Sequence, residues 1–173
     1  MASNTLFHIV RQYPPADQRH VLVAQGGVFS RPTALQTVLG SCVGVTFFCP
    51  KKGVGGIFHA LLPTWNDYED DYPHANVFRY VDSGIQAIHR ILQRKGVKPE
   101  SVECKVFGGA SAMFQGEISV GQRNAQTAFT CLEELRLRVA TANVGGDRGR
   151  KLLFLTNTGE VFVKYLRRQE SPA

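Results

Sequence analysis

The chain has 173 residues, of which 43% are apolar and 20% charged, with a formal net charge of +6 at neutral pH. That length fits one domain able to bury a core without disulfide or metal staples, and no apolar run approaches the roughly 20 residues that span a bilayer. The first eleven residues lack the basic, apolar and small-residue succession of a secretory signal, so a soluble cytoplasmic protein without membrane insertion is expected.

Residues 1–20, with Pro14-Pro15 and mixed polar side chains, are predicted to be a loosely attached N-terminal extension. A single domain is expected over 21–168, followed by a tail at 169–173. His20–Phe29 reads as strand material interrupted at Gly26-Gly27. Val43–Phe48 is a predicted strand, Cys49–Gly53 a turn, and Val54–Leu62 a second strand ended by Pro63. Trp65–Ala75 is acidic, aromatic and broken by Pro73, which implies a loop. A helix follows, capped by Asn76 and stopped by Gly96, with Val77, Val81, Ile85, Ile88 and Leu92 at helical spacing. Val102–Phe107 is another strand, broken by Gly108-Gly109, and a second helix is predicted from Gly121 to Val139. Strands at Val139–Val144, Leu152–Thr156 and Val161–Tyr165 complete a layered α/β domain.

The four cysteines are spread out, with no CxxC pair, and the five histidines supply no metal-ligand spacing. Reduced thiols and no metal are therefore expected. Basic residues gather late, at Arg148, Arg150, Lys151, Lys164, Arg167 and Arg168. Without a nucleic-acid motif they read as solvated surface, and nucleic acid is not an expected partner.

Chemistry concentrates in the predicted hairpin. Cys42 follows the small residues Gly40-Ser41 and precedes a β-branched strand. Such a turn lets a substrate approach the backbone closely and can leave the N–H groups around Ser41 and Cys42 facing a developing oxyanion. A lone cysteine at a strand start is more often packing than nucleophile. His59, on the returning strand, changes that balance, because the hairpin offers its imidazole a way to reach the thiol. A third group should fix the imidazole tautomer. Thr37 is the nearest hydroxyl, with Ser41 and Asn124 as weaker candidates. Cys49, Cys104, Cys131, His8, His20, His74 and His89 have no paired group in a motif and read as structural. Gly108-Gly109-Ala110 and Gly145-Gly146 fit neither phosphate-binding pattern and read as tight turns, possible walls of a cleft.

The run Thr37-Val38-Leu39-Gly40-Ser41-Cys42-Val43, followed by Gly55-Gly56 and by His59-Ala60-Leu61-Leu62-Pro63, resembles the CheD family of chemoreceptor glutamine deamidases. Similar blocks recur at Lys105–Ala110, Ile118–Asn124 and Val144–Lys151. The resemblance implies a layered α/β sandwich of mostly antiparallel strands with two main amphipathic helices. It makes Cys42 the nucleophile, His59 its base and Thr37 the matching third residue. It further implies no metal or organic cofactor, chemoreceptor cytoplasmic domains as protein substrate, a CheC-type phosphatase as second partner, and a monomer. Phe58 stands where family members often carry a polar residue and is expected to alter the pocket wall. The rival expectations are a non-catalytic module that docks receptors or a phosphatase, and another cysteine acyl-transfer enzyme. A basic nucleic-acid binder ranks last.

Overall fold

The computed structural model describes residues 2–66, 76–111 and 118–167. Within them the elements run α1 (Ala2–Val10), β1 (Gln18–His20), β2 (Gly26–Phe29), β3 (Ala34–Leu39), β4 (Val43–Cys49), β5 (Val54–Ala60) and α2 (Val81–Arg94), then β6 (Glu103–Gly108), α3 (Val120–Glu134), β7 (Arg138–Val144), β8 (Arg150–Leu155) and β9 (Val161–Tyr165). Most of the predicted loop at 65–75, with His74, lies outside the described residues, as do Arg168 and the tail.

The strands make two sheets, one ordered β1-β3-β8-β9 and the other β2-β5-β4-β6-β7. All pairs are antiparallel except β1–β3 and β6–β7. The second sheet has two buried faces. One carries Val45, Phe47, Phe58 and Val106 against Ile85 and Ile88 of α2 and Ala128 and Leu132 of α3. The other meets the first sheet, where Ile57 packs on Leu35 and Phe154, and Phe107 on Leu39 and Leu152. Because β4 and β5 are covered on both sides, every residue of both strands is buried, and apolar runs rather than clean alternation are the expected pattern. The far face of the first sheet, Ala34, Leu153 and Leu155, takes Leu6, Ile9 and Val10 of α1. The layers are thus α2/α3, second sheet, first sheet, α1: the expected sandwich of mostly antiparallel strands.

Several local expectations change. Rather than hanging loosely, residues 2–20 carry α1 onto the first sheet and add β1 beside β3. His20–Phe29 is no single strand, since β1 and β2 belong to different sheets. Asn76 caps a 3-10 turn at Val77–Arg79 by accepting from the Phe78 N–H, and α2 begins only at Val81. The second helix stops at Glu134 instead of Val139, because Arg136 adopts φ +56 and turns the chain into β7. The strand β3, which carries Thr37, has no counterpart among the predicted elements.

Candidate active site

Thr37 and His59 meet between the two sheets. Alternation along β3 places Thr37 on the same face as Leu35 and Leu39, and alternation along β5 places His59 with Ile57. The Thr37 Oγ1 lies 2.9 Å from His59 Nδ1 and 2.7 Å from the Val21 carbonyl oxygen. A hydroxyl has one proton to give, and a carbonyl can only accept. Thr37 therefore donates to Val21 and accepts from Nδ1–H, which leaves the lone pair of the neutral ring on Nε2. That Nε2 is buried and has no hydrogen-bond partner among the described residues. Burial pushes the imidazole below its ordinary value, opposed by the nearby Val21 backbone. The His59 main chain is fixed as well: its N–H donates to the Gln25 carbonyl at 2.9 Å, and its carbonyl accepts from Ala24 at 2.8 Å.

Cys42 sits in the bend between β3 and β4. His59 pairs across the ladder with Gly44, so no side chain stands directly opposite the imidazole. Continuing the strand register puts Cys42 on the same face as Gly44, diagonally across from His59, within the reach of long or aromatic side chains. The thiol packs with Leu39, Phe107 and Leu152 and makes no hydrogen bond to Nε2 in this state. Burial pushes the Cys42 thiol up, and its own backbone N–H opposes that shift.

The turn bearing the thiol is held by its carbonyls. Gly40 O accepts from Ala110 N at 2.9 Å, Cys42 O from Gly109 N at 2.8 Å, and Ser41 O from Asn124 Nδ2 at 3.0 Å. Gly108 permits this closeness: at φ +102, a Cβ there would stand 2.1 Å from the Cys42 carbonyl oxygen. Gly109, at φ +63, and Gly121 admit the start of α3 in the same way. Gly108 is thus a close-approach seat for the turn that carries Cys42, while Gly109 and Gly121 let the start of α3 approach β6.

A cavity of about 250 Å³ opens over Thr37 and His59, walled by Val21, Leu22, Val23 and Val38, with Lys151 at its side. Cys42 does not line it. Elsewhere, burial pushes the Cys104 thiol up to about 12, and burial together with the nearby Asp82 and Glu134 pushes the half-buried Cys131 up to about 11.

Two expectations fail here. Phe58 does not touch the pocket wall, because alternation turns it to the helix-facing core, against Phe47 and Phe78 and over Gly84. Arg150 is not solvated surface: it is 1% exposed and donates to the carbonyls of Asn143, Gly145 and Arg148, organising the loop before β8. The Val21 carbonyl carries no residue-type signal in the sequence, and of the three candidates for the imidazole partner it is Thr37 that hydrogen-bonds Nδ1, not the weaker candidates Ser41 and Asn124. Asn124 does not touch the imidazole; it bridges the Ser41 and Leu61 carbonyls.

A cysteine, a tautomer-fixed imidazole and a hydroxyl gathered between two sheets define a candidate cysteine-dependent acyl-transfer site. Residues 61–165 match the family described as CheD chemotactic sensory transduction, and the chain belongs to that family. It is 43% identical to the "Probable chemoreceptor glutamine deamidase CheD" of Oleidesulfovibrio alaskensis, over 89% of this chain and 79% of that protein. It is also 43% identical to the "Probable chemoreceptor glutamine deamidase CheD 2" of Geobacter sulfurreducens, over 82% and 86%. An archaeal relative of the same description, from Pyrococcus abyssi, is 39% identical over 73% and 77%.

Proposed function

We propose that this chain is a cytoplasmic protein-glutamine deamidase that converts glutamine side chains of chemoreceptors into glutamates through a thioester on Cys42. The names of its relatives supply the substrate, and one observation carries the chemistry: Thr37 holds His59 in the tautomer whose free Nε2 is a buried, unpartnered base. Since burial raises the thiol and lowers the imidazole, the resting pair is thiol plus neutral imidazole rather than a preformed ion pair. His59 Nε2 takes the thiol proton as Cys42 Sγ attacks the glutamine side-chain carbonyl carbon. Backbone N–H groups at Ser41 and Cys42 receive the oxyanion. Collapse of the tetrahedral adduct breaks the C–N bond, and the imidazolium returns its proton to the leaving nitrogen, releasing ammonia. Water, deprotonated by Nε2, then attacks the thioester; the C–S bond breaks, glutamate leaves and the thiol regains its proton. None of these steps needs a metal or an organic cofactor.

One observation favours a second reading. Cys42 is 9% exposed and lies outside the cavity that reaches His59, as suits a docking module whose thiol is closed off, for instance by serving a CheC-type phosphatase. Mass spectrometry of a chemoreceptor cytoplasmic fragment incubated with the protein decides between them. Glutamine-to-glutamate conversion with one ammonia released per site supports deamidation. Receptor binding without conversion supports docking, and amine incorporation at the expense of hydrolysis would point to transglutamination.

A further inference from the structure

We infer that Asn124 is a positioning residue that aims the Cys42 backbone N–H at the oxyanion, an inference that rests on the deamidase reading above. Asn124 is fully buried, and its Nδ2 donates to two main-chain carbonyls at 3.0 Å each, Ser41 O and Leu61 O. Two acceptors fix which end of the amide is nitrogen, since the reversed side chain would set Oδ1 against both carbonyl oxygens. The Oδ1 that results is buried and unpartnered. Leaving such an acceptor unpaired is unfavourable, so the site keeps asparagine for the two donors it supplies.

The two carbonyls sit where the β4–β5 ladder ends. Val43 and Ala60 are its last pair; beyond them the chain leaves through Ser41 on one side and Leu61 on the other. Asn124 closes that open end and ties the nucleophile turn to the strand that carries His59. Its hold on Ser41 has a directional consequence. The 41–42 peptide is trans, so its C=O and N–H point in opposite directions. A Ser41 carbonyl drawn toward Asn124 turns the Cys42 N–H away from it. That N–H lies against its own sulfur and has no other acceptor among the described residues. An N–H beside the attacking sulfur, with no standing partner, is what a tetrahedral oxyanion requires.

Asn124 is itself held firmly. It lies in the first turns of α3, whose start is fixed by a capping box between Ser119 and Gln122. Gly121 presses that start onto the Gly109 and Ala110 carbonyls, while the N–H groups of those same two residues hold Cys42 O and Gly40 O. Asn124 therefore fixes one plane of the nucleophile turn, and Gly109 and Ala110 fix the planes on either side.

Oxyanion binding and thiol activation can be measured apart. Alkylation of Cys42 by iodoacetamide needs the thiolate but develops no oxyanion, whereas deamidation needs both. For Asn124→Ala and the polar Asn124→Thr, we expect kcat on the receptor fragment to fall about 10- to 100-fold with KM little changed. The rate of Cys42 alkylation at a pH where the thiol is fully ionised should stay at the wild-type level. Retained kcat in folded variants overturns the inference, as does an alkylation rate that falls in step with kcat, which would make Asn124 a general support of the thiol. Should neither variant fold, Asn124→Ser takes the test, and failure of all three to fold assigns a purely structural clamp and also overturns it. A wild type that converts no receptor glutamine sinks the deamidase reading itself, and this inference with it.

Discussion

Cys104 and Cys42 lie on opposite faces of the same sheet, and burial acts on them with different results. Cys104 faces the helices among valines and leucines, fully buried, and its thiol is pushed up to about 12 with nothing opposing it. Cys42 faces the first sheet, where burial also raises the thiol but its own N–H pulls the other way. The His59 imidazole, its buried Nε2 unpartnered among the described residues, stands on that same face. The neighbours in sequence, Phe58 and His59, repeat the contrast on β5: one ring fills the helix-facing core and the next turns to the first sheet, bound to Thr37 through Nδ1. Burial alone makes a thiol inert. The proposed reactivity of Cys42 rests on burial combined with a few fixed donors and one unpaired acceptor.

Breaking each face should give a different kind of damage. The largest effect is expected from His59→Gln, which removes the proposed base but keeps a polar side chain of similar size; kcat for deamidation should fall by about 100- to 10,000-fold in a variant that still unfolds cooperatively, checked by kinetics beside calorimetry. Phe58→Ala should do the reverse. It opens a cavity between Phe47, Phe78 and Gly84 and should cost about 3–5 kcal/mol of stability in urea titration, with activity per folded molecule preserved. Thr37→Val keeps the shape of the side chain but frees the Nδ1 proton and leaves the Val21 carbonyl unpaired. An orienting hydrogen bond worth ~1.5–3 kcal/mol corresponds to a loss in kcat of about 10- to 100-fold.

The smallest effect concerns pH. His59 must be neutral to act, and burial holds its folded-state value below the ordinary 6.5. The acid limb of kcat/KM should therefore lie below 6.5. The unfolded chain takes up the proton more readily than the folded one, so stability should decline as pH falls below 6.5 and level off beneath the folded value. His89 is shifted in the same direction by burial and adds to that slope. His59→Asn should lose only its own share, which urea titrations across pH would measure.

The sequence made some of this arrangement plain and hid the rest for physical reasons. The β4–β5 hairpin was legible because its apolar runs are bounded by the Cys49–Gly53 turn and by Pro63. The end of α2 was legible because a glycine, Gly96, takes φ +71 there. The end of α3 was not, because Arg136 takes φ +56 without glycine to mark it, and Leu135 and Val139 continue the helical spacing. β3 was obscured by the pair Gln36 and Thr37 inside it, one facing outward and the other serving the site. Of the motif residues the sequence singled out, Thr37 and His59 meet at 2.9 Å, while Cys42 lies diagonally across the ladder without a hydrogen bond to the imidazole. What chemistry they share was not readable beyond that, since the decisive contacts run through main-chain atoms: the Val21 carbonyl that spends the Thr37 proton, and the Ser41 carbonyl that Asn124 holds.

The most direct test of the central claim is acid-quenched mass spectrometry of the enzyme during turnover of a receptor fragment, run beside Cys42→Ala and Cys104→Ala. The account predicts a hydroxylamine-sensitive adduct on Cys42 with the mass of the substrate less ammonia, no turnover by Cys42→Ala, and full turnover by Cys104→Ala. Continued glutamine conversion by Cys42→Ala would contradict it.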